Sequence, residues 1–169
     1  AMVVDERDQI WILVPRTSGS GILVAKEFQN GSLRTRFLGT PKNGGGLPSN
    51  NVKAIVQDKD GEIWVGTESG IAVFYNPSLV FDGGANADAQ QIIIDDGEDI
   101  GYLLGSEVIN DIKIDGGNRK WVATNNGAWL IKEDGSEVIL HLTEVNSPLP
   151  SNVINCIGII PNTGEVFFG

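Results

Sequence analysis

Four stretches of this chain can be laid over one another, and that internal repetition limits the fold more than any other feature of the sequence. The clearest copy runs from Leu47 to Ile71 and carries Asp58, Gly61, Trp64, Thr67 and Gly70. A second, from Leu104 to Ala128, aligns with it without a gap and sets Asp115, Asn118, Trp121, Thr124 and Gly127 at the same positions. A third starts at Leu149, needs one inserted residue and puts Phe167 in the tryptophan position, and a partial copy around Trp11 opens the chain. Successive aromatic positions lie about 53, 57 and 46 residues apart, the range of one four-stranded blade per repeat. Helical repeats of that length would space apolar residues by three and four. Here short β-branched runs are broken by turn residues instead.

Each copy reads as the same strand set. In the copy built around Trp64 the pattern predicts strands over 52–57, 62–67, 71–75 and 90–95, with Asp60-Gly61 in the first hairpin turn, because glycine accepts the positive φ such a turn demands. The next copy gives 109–115, 120–124, 128–132 and 137–142, and the first gives 9–14, 22–27 and 33–38. In the last of these, Leu33, Thr35 and Phe37 alternate with Arg34 and Arg36, as a half-exposed outer strand should. No helix is predicted, and 82–89 reads as loop. The expectation is an all-β partial β-propeller of four-stranded antiparallel blades, about three to three and a half of them, with approximate blades 1–46, 47–103, 104–148 and a truncated 149–169. The second-strand aromatics Trp11, Trp64, Trp121 and Phe167 are expected to fill the wedges between blades rather than to stack on a ligand.

The series Asp58…Gly61-Glu-Ile-Trp64-Val-Gly-Thr67-Glu-Ser-Gly70-Ile, repeated as Asp115…Asn118-Arg-Lys-Trp121-Val-Ala-Thr124-Asn-Asn-Gly127-Ala, resembles the two-component-regulator propeller repeat. The connector Asn146-Ser-Pro-Leu-Pro-Ser-Asn152 is also typical of it. Two departures are Asn118 in the place of the turn glycine and Ala123 in the place of the glycine after the tryptophan pair. The resemblance implies an extracytoplasmic setting, in the periplasm or at the outer-membrane surface. One role it implies is that of the propeller proteins of type IX secretion that attach cargo at the cell surface; the chain leans towards these. A second is the sensor domain of hybrid two-component histidine kinases, with an oligosaccharide ligand. Beside these two implied roles, a propeller glycosidase or lyase is the third reading.

Composition narrows the chemistry. The net charge is −10, from 12 basic and 22 acidic residues, which disfavours nucleic acid as a partner. Residues 1–5 lack the basic and long apolar segments of a signal peptide. The single cysteine, Cys156, sits in an apolar run and is expected to be a small buried thiol. The single histidine, His141, cannot build a histidine metal site alone and reads as a surface residue of an outer strand. The acidic run Asp95-Asp96-Gly97-Glu98-Asp99 lacks the regular ligand spacing of a calcium loop and reads as a solvated turn. Gly44-Gly45-Gly46 has no phosphate-binding lysine after it. No catalytic residue, metal or cofactor is expected. Binding is expected on the face formed by the turns between second and third strands together with the connectors between blades. That face would carry Arg16, Glu68, Asn125 and Asn126, and the family resemblance implies that its partner is a protein of a surface complex or a polysaccharide. Open apolar faces of the outermost blades are expected to favour a homodimer.

Overall fold

The computed structural model describes residues 1–15, 20–95 and 100–169. Strands β1 (Met2–Val4), β2 (Ile10–Val14), β3 (Gly21–Glu27) and β4 (Leu33–Leu38) form a four-stranded antiparallel meander. A three-stranded sheet follows, of β5 (Val52–Gln57), β6 (Ile63–Thr67) and β7 (Gly70–Phe74), and then the two-stranded hairpin of β8 (Ile93–Asp95) and β9 (Ile100–Tyr102). The next four-stranded sheet holds β10 (Ile109–Ile114), β11 (Lys120–Thr124), β12 (Gly127–Ile131) and β13 (Val138–Leu142), and the chain closes on the pair β14 (Ile157–Ile159) and β15 (Val166–Phe168). These small antiparallel sheets, in chain order, make a nearly all-β structure of propeller type.

Several differences from the sequence reading have physical causes. The first blade has a fourth, innermost strand, β1, whose three residues are too few to show an alternating pattern. The outer strand expected over 90–95 is reduced to a single bridge between Val73 and Gln90, and Ile93–Asp95 pairs with Ile100–Tyr102 instead. Between β7 and that bridge lie two short 3-10 turns, Pro77–Phe81 and Ala85–Ala87, where only loop was expected; Pro77 presets the first of them, and Pro77 and Val80 are buried. Cys156 is exposed, not buried, because it precedes β14 at the edge of a sheet with only two strands.

Three apolar cores lie between successive blades. Trp11 joins Ile55, Val65 and Phe74 in the first; Trp64 joins Ile109, Ile112 and Val122 in the second; Ala123, Ile154 and Ile157 form the third, with Trp121 and Phe168 packed against it. Trp11 and Trp64 are fully buried, so the wedge-filling expectation holds for them. Trp121 is only half-buried, and Phe167, in the fourth aromatic position, is 57% exposed. Phe168 rather than Phe167 meets Trp121, with ring centroids 5.7 Å apart.

The repeated aspartate explains how each blade is tied at its first hairpin. One oxygen of Asp5, Asp58 and Asp115 accepts two backbone N–H groups across the turn, from Arg7 and Gln9, Asp60 and Glu62, and Gly117 and Arg119. The other oxygen accepts the indole N–H of Trp11 at 3.0 Å in the first blade and of Trp64 at 3.1 Å in the second. Its remaining donor differs in each copy. Gln9 supplies its amide to Asp5 at 2.7 Å, and Arg119 supplies its Nε to Asp115 at 2.7 Å. The equivalent residue in the second blade is Glu62, which when ionised cannot donate. There the donor comes from the next blade: Lys120 Nζ lies 2.9 Å from Asp58, with both side chains fully buried, and 4.5 Å from the centre of the Trp64 ring. Lys120 also donates to the Glu133 carbonyl.

Asn118 adds to the same junction. It adopts the left-handed conformation at φ 64°, as the turn glycine Gly61 does at φ 82°. Its side chain accepts from Lys59 N at 2.9 Å and donates to Asp60 at 2.7 Å, across the blade boundary. The departure from glycine is therefore a second link between the two blades.

Candidate binding face

At the opposite end from the aspartate turns, the hairpins between second and third strands meet the connectors between blades. Thr67 and Thr124 end their strands by donating a hydroxyl to the carbonyls of Gly70 and Gly127, each at 3.0 Å, and accept the N–H of Ser69 and Asn126 in return. These side-chain turns hold Glu68, Asn125 and Asn126 at the tips. The tips are then stitched to connectors. Glu68 N donates to Asn51 O at 3.1 Å, Gly70 N to Glu107 O at 2.9 Å, and Gly127 N to Asn152 O at 2.7 Å. Glu68, Asn125 and Asn126 thus share one face and are exposed there. Arg16 lies outside the described residues, as do residues 96–99 of the acidic run.

The structure brings in residues that the sequence reading did not single out. The innermost strands of the second and third blades each carry a register shift at the same repeat position, Lys53 and Asn110. Such bulges re-aim a side chain. Lys53 Nζ donates to Asn110 Oδ1 at 3.2 Å, and Asn110 Nδ2 donates to Asn125 Oδ1 and to the Ile154 carbonyl, each at 2.9 Å. Asn126 Nδ2 donates to both carboxylate oxygens of Glu107 at 3.0 and 3.1 Å. An ammonium, three amides and two carboxylates therefore form a polar surface that spans the inner ends of adjoining blades. The bulges could have been found only by pairing the strands, since neither residue breaks the alternation visibly.

His141 is half-buried, stacked on Trp129 at 3.5 Å with the rings 9° from parallel, and its Nε2 sits 2.8 Å from the Asn126 carbonyl. It buttresses the Asn126 turn. The face offers donors and acceptors for a polar partner, in a pattern repeated from blade to blade.

The strand order, the inter-blade tryptophans and the repeated aspartate turns define a β-propeller. Residues 46–69 match the two component regulator propeller family. No curated protein matches the chain. Among solved structures, the chain is similar to PorZ, an essential bacterial surface component of the type IX secretion system of Porphyromonas gingivalis. The two are 25% identical with a TM-score of 0.84 over 99% of this chain and 24% of that one. It is similar also to the extracellular domain of a hybrid two component system from B. thetaiotaomicron, at 24% identity and a TM-score of 0.69 over 100% of this chain and 19% of that one. Virginiamycin B lyase from Staphylococcus aureus shares the fold, at 14% identity and a TM-score of 0.52 over 99% of this chain and 54% of the lyase. The chain spans about a quarter or less of the first two relatives.

Proposed function

We propose that this chain is a non-catalytic, extracytoplasmic propeller module that binds a partner across the face carrying Arg16, Glu68, Asn125 and Asn126, in the manner of a surface-attachment component of type IX secretion. The observation that carries the reading is the stitching of hairpin tips to connectors: Glu107 binds Gly70 of one blade through its carbonyl and Asn126 of the next through its carboxylate. A face held this way loses little freedom when it binds, which favours affinity. The similarity to PorZ supports the setting. Ligand sensing within a hybrid two component system is the second reading, supported by the family matched at residues 46–69 and by the second structural relative.

The test is binding of the immobilised chain to purified bacterial lipopolysaccharide and to a panel of neutral oligosaccharides. Arg16, Glu68, Asn125 and Asn126 are then replaced together by alanine, with a thermal melt as the folding control. Loss of binding in a folded variant supports the face. Unchanged binding removes it, and a response restricted to one oligosaccharide favours the sensor.

A further inference from the structure

The second blade departs from the repeat where its outer strand should be, and per-repeat insertions are where repeat proteins commonly place binding surfaces. After the Val73–Gln90 bridge the chain forms the β8–β9 hairpin, in which Ile93 pairs with Tyr102 and Asp95 with Ile100. Those four residues share one face, and Ile94 and Gly101 take the other. The hairpin is anchored: Ile94 packs on the core around Trp64, Ile92 and Leu103 beside it are buried, and Leu103 N donates to Ile92 O at 2.8 Å. Its outer face is nonetheless 65% exposed at Ile93, 76% at Ile100 and 55% at Tyr102. Past Tyr102 this surface runs into an open cleft of about 480 Å³ bordered by Ser106, Glu107 and Trp129.

Three large apolar side chains held in water on a fixed hairpin mark an interaction surface. Charge decides what it fits. Glu107, whose carboxylate accepts from the neutral Asn126 amide, borders the cleft, and the whole chain carries −10. A second copy would set acid against acid across a two-fold contact, and an anionic membrane would be repelled. We propose that the hairpin face docks a segment of another protein in which apolar residues are flanked by lysine or arginine. The apolar residues cover Ile93, Ile100 and Tyr102, and a cation sits beside Glu107 or over the Tyr102 ring.

The probes are two fluorescein-labelled peptides, Lys-Lys-Thr-Val-Ile-Phe-Lys-Lys and its analogue with glutamate for every lysine, titrated with the 169-residue chain by fluorescence anisotropy. The lysine peptide is expected to bind at least about tenfold more tightly, and to weaken several-fold as salt rises from about 0.05 to about 0.3 M. Ile93→Ser with Tyr102→Ser should lower its affinity at least about tenfold while the melting curve stays that of the wild type. Ile100→Ser alone, at the most exposed position of the hairpin, cannot unfold the core and should still weaken binding several-fold. Equal binding of the two peptides, or full binding by both variants, overturns the proposal. So does a wild-type dimer in sedimentation that Ile100→Ser converts to a monomer, since the occupant would then be a second copy.

Discussion

Replacing Lys120 with methionine isolates the charge shared by the second and third blades. Methionine keeps most of the aliphatic stem, so little volume is lost and the change falls on the ammonium. Breaking a fully buried ion pair costs about 3–5 kcal/mol, chiefly because the surviving charge is left buried without its partner. Asp58 would still accept Trp64 Nε1 at 3.1 Å and the backbone N–H groups of Asp60 and Glu62 at 3.0 Å each. Those bonds keep the loss near the lower end, about 3 kcal/mol, or about 6–12 °C in Tm for a chain of this size. Urea denaturation followed by tryptophan fluorescence and calorimetry would measure it. The first blade supplies a rescue. There Gln9 serves Asp5, and Ile63 occupies the position equivalent to Lys120. Lys120→Ile combined with Glu62→Gln transplants that arrangement and should recover about half of the loss or more, since a neutral amide then donates to the carboxylate. A loss below about 1 kcal/mol in Lys120→Met, or a double variant no better than Lys120→Ile, would refute the reasoning.

Burial, then Asp58, hold the Glu62 carboxyl above its ordinary range, while Lys120 pulls it down. An acid whose pKa is raised by folding binds protons more tightly in the folded state. Its contribution therefore favours folding at low pH and is lost as pH rises from the unfolded value through the folded one. Lys120→Met should move the Glu62 midpoint further up in a carbon-13 NMR titration; an unchanged midpoint would deny the coupling. Trp64→Ala should cost about 3–5 kcal/mol in a denaturant melt, and Trp121→Ala clearly less, because only the first ring is fully buried. Gly66→Ala should cost about 1–3 kcal/mol by the same melt, since a Cβ there would clash with Ile109 Cγ2 of the next blade. Phe167, exposed in the position where Trp11 and Trp64 are covered, should drive weak self-association, and Phe167→Asp should leave a monomer by light scattering at high concentration.

The blade pattern was legible because the residues that write it act locally. Asp58, Gly61 and Trp64 close one hairpin among themselves, and the same spacing returns at Asp115, Asn118 and Trp121. The positions of Glu68, Asn125 and Asn126 followed from the same periodicity, since each lies just after a strand-ending threonine. What escaped the sequence depends on neighbours distant in the chain. A lysine inside β11 gives no sign that an aspartate 62 residues earlier needs a donor. Lys53 and Asn110 become notable only once strand pairing shows the bulges, and Glu107 only once its two partners are known. The outer strand of the second blade failed because Ile92, Ile93 and Ile94 suit a hairpin as well as a blade edge; local pattern cannot choose between two antiparallel partners.

The aspartate turns show how such a repeat can drift without losing its shape. Each carboxylate is held on both oxygens, yet in three successive turns the second donor is Gln9, then Lys120, then Arg119. Where Glu62 offers no local donor, one comes from the adjacent blade, and Asn118 adds two further bonds over the same boundary. The first and second blades share apolar contacts around Trp11, the bond from the Gln9 amide to the Pro77 carbonyl at 3.1 Å, a bond from Arg36 to the Val80 carbonyl, and the N–H groups of Asn43 and Gly45 donated to the buried carboxylate of Asp88. The second blade is thus tied on both sides, through the buried Asp88 carboxylate towards the first and through the buried Lys120–Asp58 pair towards the third. Its irregular outer hairpin packs through Ile94 on the core around Trp64 that the Lys120 pair closes. That packing, with Ile92 and Leu103 buried at the base of the hairpin, offsets the cost of leaving its other apolar face in solvent.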